Sequence, residues 1–163
     1  MSISGKRNGG AYARSEYAAN GSATAAGAGD NTVVNGAWVS RKGASGVYKS
    51  AKLVITFDAA INAAESLSFA VKLRDATSSG GAGAADVAAT HINPNVAYPA
   101  TIVASGAATK SSIEFDFNLE TCREFIGCQI TPDLSRSATD TVVWQASWVF
   151  FGPERQPVSK SLV

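Results

Sequence analysis

The feature that most constrains this chain is a repeated alternation of apolar and polar residues at period two. In SLSFAVKLRD, Leu67, Phe69, Val71 and Leu73 share one face, while Ser68, Ala70, Lys72 and Arg74 take the other. AKLVITFDAA sets Leu53, Ile55 and Phe57 against Lys52, Val54, Thr56 and Asp58. SSIEFDFNLE places Ile113, Phe115, Phe117 and Leu119 inward, and EFIGCQIT does the same with Ile126, Cys128 and Ile130. Successive side chains of a strand point to opposite faces, so each run reads as a strand with one buried and one wet face. A further strand, Val33 to Val39, is interrupted at Asn35-Gly36. No long segment carries the 3.6-residue period of a helix.

DTVVWQASWVFF departs from the rule. Val142, Trp144, Ala146, Trp148 and Phe150 share one face, but Val143, Val149 and Phe151 on the other are apolar too. Either this strand is central and covered on both sides, which is the preferred reading, or its outer face meets a partner. Turn-rich links separate the strands: Asn62 to Glu65, Thr77 to Gly83, His91 to Pro99 and Pro132 to Asp140. LETCREF reads as a short helical turn. The fold class is all-β, an antiparallel β-sandwich or jelly roll.

The opening differs. Residues 1–31 are mostly Gly, Ala, Ser, Asn and charge, with Met1, Ile3, Tyr12 and Tyr17 as the large apolar side chains. So little to bury implies a flexible or extended N-terminal arm over 1–31, ahead of a β-sandwich domain over 32–163. Ala11 to Ala19 could form one helical turn. Lys6, Arg7 and Arg14 would supply charge contacts to a partner, and Tyr12 and Tyr17 the anchors, because aromatic rings bury much area with few rotors.

Composition excludes several function classes. Net charge is +1, which gives no field for nucleic acid or a membrane surface. No apolar run reaches the length of a membrane span, and the N-terminus lacks a signal-peptide core. One histidine, His91, and two cysteines, Cys122 and Cys128, cannot make a usual zinc set. Cys128 falls on an apolar strand face; pairing with Cys122 is left open. Glu114 and Asp116 share a strand face as any wet strand would arrange them, and Asp133 and Asp140 lack the spacing of a calcium loop. The expectation is a non-catalytic protein without cofactor or metal.

AKLVITFDAAINAAESLSFAVKLRDAT resembles the long hairpin of tailed-bacteriophage capsid cement (decoration) proteins, and REFIGCQITPDLSRSATDTVVWQASWVFFGPERQP resembles their last strand pair. The matching features are Arg123, Phe125 and Ile126, the loop Pro132 to Asp140, and Gly152-Pro153, within residues 50 to 155. The resemblance implies a jelly roll, a trimer on the phage-head exterior of the virion, and the major capsid protein as partner, after synthesis in the host bacterial cytoplasm. A phage tail, connector or fibre component and a carbohydrate-binding module remain as alternatives, the latter because Trp38, Trp144 and Trp148 could form a platform.

Overall fold

The computed structural model describes residues 13–43, 46–62, 64–87, 100–103, 108–135 and 139–153. The strands are β1 (Ala13–Thr24), β2 (Val34–Asn35), β3 (Val39–Ser40), β4 (Lys42–Gly43), β5 (Gly46–Ala60), β6 (Ser66–Ala76), β7 (Ala85–Asp86), β8 (Ala100–Val103), β9 (Ala108–Asn118), β10 (Phe125–Leu134) and β11 (Thr141–Pro153). They form two antiparallel sheets. One runs β1-β11-β5-β9, with β4 also on β5; the other centres on β10-β6, flanked by β2 and β3 on one side and β7 and β8 on the other. With β2 and β3 taken together, and β4 with β5, successive strands alternate between the sheets except from β6 through β7 to β8, which stay in one sheet. Taking each short strand with its neighbour, the order is the paired Greek keys of a jelly roll.

The alternation read from the sequence matches the burial. Leu53, Ile55, Leu67, Phe69, Phe115, Ile126, Ile130, Ala146, Trp148 and Phe150 are wholly buried between the sheets. Phe69 of one sheet meets Trp144 of the other edge-on, at 6.0 Å between ring centres, and Phe57 at 5.8 Å. Phe117 packs on Trp148 at 5.6 Å. Trp144 and Trp148 are therefore core residues, not a platform. Cys122 and Cys128 are buried free thiols. Burial pushes Cys128 up to about 12, and burial with the nearby Asp75 charge pushes Cys122 up to about 11.

The expected arm is corrected from Ala13 onward. Residues 13–24 are extended, but as an edge strand paired with β11 along its whole length, from Ala13 opposite Phe151 to Thr24 opposite Thr141. The following turn is pinned as well: Asp30 accepts hydrogen bonds from the Ala26 and Leu134 backbone N–H groups, at 2.8 and 2.9 Å, and the Asn31 N–H donates to the Pro132 carbonyl. The domain thus begins by residue 13 and not at 32. Small residues suit β1 because β11 fills the space beside it. A Cβ on Gly21 would lie 2.8 Å from Cζ2 of Trp144. A bulge between Tyr17 and Ala19 buries Ala18 and Ala19 in succession and breaks the period-two pattern.

Three smaller expectations also change. Residues 13–19 are strand and not a helical turn. LETCREF holds a tight turn, with the Cys122 N–H donating to the Leu119 carbonyl, and no helix. The two strand pairs of the resemblance, β5 with β6 and β10 with β11, are arches between sheets, since β5 pairs with β11 and β6 with β10. The loop His91 to Pro99 lies outside the described residues.

Candidate interaction surface

The outer face of the β1-β11-β5-β9 sheet gathers Tyr17, Val143 and Phe151, three of the four exposed large apolar side chains among the described residues. Cross-strand partners project to the same side, so the register assigns the face directly. On β11 the outward residues are Thr141, Val143, Gln145, Ser147, Val149 and Phe151; opposite them on β1 stand Thr24, Ser22, Asn20, Tyr17, Ser15 and Ala13. None of these side chains carries a charge. Val143 is 62% exposed, Tyr17 50% and Phe151 38%. β11 is central, as preferred from the sequence, yet no described residue covers its outer face.

The charges of this face lie on β5 and β9, where they pair with each other. Lys52 meets Glu114 and Asp116, and Lys110 meets Asp58 at 2.8 Å. The hydrogen bond to Glu114 raises Lys52 above its ordinary value against the opposing effect of burial. The bond to Asp58 raises Lys110 likewise. The result is a surface with an uncharged half of hydroxyls, amides, an aromatic ring and aliphatic side chains, beside a half where two lysines pair with three carboxylates. A shallow depression of about 350 Å³ opens between them, bordered by Asn20, Thr56, Asp58, Val143 and Gln145.

Of the residues expected to bind a partner, Lys6, Arg7 and Tyr12 lie outside the described residues. Tyr17 stands on the outer face. Arg14 does not: its expected outward contact is corrected, because its guanidinium turns into the fold. It lies 4.7 Å from the ring centre of Phe150 and 5.0 Å from that of Tyr48, and it donates to the carbonyls of Ser40 and of Lys42, the latter at 2.8 Å. It closes one end of the sandwich, tying β1 to the β3-β4 corner.

The polar residues weighed for chemistry serve the fold. Asp140, 1% exposed, accepts from the Asn62 backbone N–H and side-chain amide, at 3.0 and 2.6 Å. Asp133 accepts from the Asn31 amide at 3.2 Å. Arg123 grips Asp75 through its guanidinium and its backbone N–H, and donates to the Gly83 carbonyl at 2.6 Å. Burial pushes the Asp75 carboxyl up, but the Arg123 hydrogen bonds and charge together hold it below its ordinary 3.8. Among the described residues no group of three or more His, Cys, Asp or Glu side chains is placed to hold a metal ion. His91 is not among them.

Tyr17 and the Val143, Val149 and Phe151 row were visible in the sequence. The β1 row beside them was not, because the bulge and the small inward residues conceal its period. A scan against protein-family models finds no match, and a search of the curated proteins finds none.

Proposed function

We propose that this protein is a non-catalytic structural component of a virion: a capsid cement (decoration) protein of a tailed bacteriophage, bound to the major capsid protein on the head exterior. The observation that carries this reading is the uncharged outer face of β1 and β11, with Tyr17, Val143 and Phe151 exposed on it. An uncharged and partly apolar sheet face is suited to docking on another protein surface. The sequence resemblance supplies the class of partner.

In this reading the face made by β1 and β11 lies against the capsid. Tyr17 is its aromatic anchor, and the charges of Lys6 and Arg7 and the ring of Tyr12 would add to the affinity. Trimerisation on the capsid would raise avidity without a strong single contact. Bridging neighbouring capsid subunits resists the internal pressure of packaged DNA.

Co-sedimentation of the purified protein with expanded capsids that lack it tests the proposal, with bound copies counted at saturation. Saturable binding in a fixed ratio to the major capsid protein is expected. No binding, or a handful of copies per particle, would overturn it and favour a tail or connector component.

A further inference from the structure

The outer face of the opposite sheet carries a second feature, independent of capsid docking. Trp38, between β2 and β3, lies outside the core, partly buried against the exterior of β10. Its six-membered ring covers Gly127, where a Cβ would lie 3.0 Å from Cε3. Its pyrrole edge meets Gly81, where a Cβ would stand 2.3 Å from Nε1 and where φ is +78°, so that position suits glycine on both counts. The indole thus rests on glycine, with no side chain from those two positions competing for its surface.

Beside it is a pocket of about 230 Å³, lined by Trp38, Arg74, Asn35 and the glycines at 36, 81 and 127. The volume is below the ~300–1,000 Å³ of sites for drug-sized ligands, which limits an occupant to about one ring. Planar polar groups surround it. The Arg74 guanidinium carbon lies 5.9 Å from the indole ring centre, and its Nε donates to Asp86 at 3.1 Å. Gln129 Nε2 donates to Asn35 Oδ1 at 2.9 Å. That bond leaves the Asn35 amide N–H groups and the Gln129 carbonyl without a protein partner among the described residues. The Arg74 Nη groups are in the same condition.

We propose that this pocket binds a single pyranose ring, as a terminal or branching unit of a glycan. The C–H face of a sugar stacks on an indole, and its vicinal hydroxyls both donate and accept. The lining offers matching donors at Arg74 and Asn35, and the Asn35 side-chain oxygen, already held by Gln129, can accept a second hydrogen bond. A carboxylate or phosphate fits less well, because Asp86 already engages both Arg74 and Lys72. The pocket and the β1-β11 face belong to different sheets, so occupation of one leaves the other free.

The test is amide and indole N–H NMR on the whole protein, titrated separately with D-glucose, D-galactose and N-acetyl-D-glucosamine to about 50 mM. At least one sugar is expected to give saturable shifts at Trp38, Asn35, Gly81 and Gly127, with a Kd of roughly 1–10 mM, ordinary for one small ring. Arg74→Met removes the guanidinium donors and should weaken binding severalfold. Trp38→Ala should weaken it more than tenfold, with the remaining spectrum confirming the fold. No saturable shift with any of the sugars, shifts elsewhere on the surface, or shifts undiminished in Arg74→Met would overturn the proposal.

Discussion

Replacing Arg14 by alanine separates a docked first strand from a free arm. In a free arm this side chain would touch nothing in the domain. Here its guanidinium, on a side chain 23% exposed, stacks over Tyr48 and Phe150 and donates to the Ser40 and Lys42 carbonyls. A cation over an aromatic ring contributes about 0.5–2 kcal/mol, and a hydrogen bond from a charged group about 1.5–3 kcal/mol. These contributions share one side chain and do not add, and water reaches the vacated carbonyls in the variant. A loss of about 2–4 kcal/mol is therefore expected. At roughly 2–4 °C per kcal/mol for a protein of this size, Tm should fall by about 5–15 °C. Arg14→Lys keeps the charge but not the fork, and should fall between wild type and alanine. Urea unfolding followed by fluorescence measures the difference. A change within about 0.5 kcal/mol for Arg14→Ala, the usual range for an uninvolved surface site, would refute the docked strand.

Other expectations follow from the same contacts. Gly21→Val should destabilise by about 1–3 kcal/mol, because its side chain would enter the space of Trp144, whereas Ser22→Val on the outer face should leave the unfolding midpoint almost unmoved. Asp75 has a folded pKa below its ordinary 3.8, so its stabilising contribution is complete above about pH 4 and is lost as pH falls through the folded value. Melting curves from pH 5 to pH 3 should accordingly drop more steeply for wild type than for Asp75→Asn. Cys122 and Cys128, raised to about 11 and about 12, should resist a thiol reagent at pH 8 in the folded protein and react together once urea unfolds it.

The sandwich was legible in the sequence wherever a strand paired large inward residues with polar outward ones. Leu67 to Leu73 and Phe115 to Leu119 face the core as their alternation implies. β1 escaped for a physical reason. The Trp144 indole of β11 fills the adjoining core, so β1 carries Ala19, Gly21 and Ala23 inward there, a composition that in isolation describes a linker. Its bulge at Ala18 then removes the remaining periodic signal. Arg14 escaped because one position cannot reveal that a basic side chain folds back onto Phe150. The candidate face was half legible. Val143, Val149 and Phe151 stood out as apolar residues on the wrong side of a strand, but only the register places Tyr17 beside them. The pocket at Trp38 could not be read at all, since it depends on Gly81 and Gly127 meeting one indole from distant parts of the chain.

The claim that the β1-β11 face docks on the capsid is tested most directly by Val143→Lys, in a capsid-binding titration beside wild type and Trp38→Ala. Val143 is 62% exposed in the free protein, so the lysine should leave the fold intact. Burying the valine against a partner would contribute up to about 1.5–3 kcal/mol, and a buried lysine adds a further penalty. Val143→Lys is expected to lose at least about tenfold in affinity, with Trp38→Ala binding as wild type does. Wild-type affinity and copy number for Val143→Lys would contradict it.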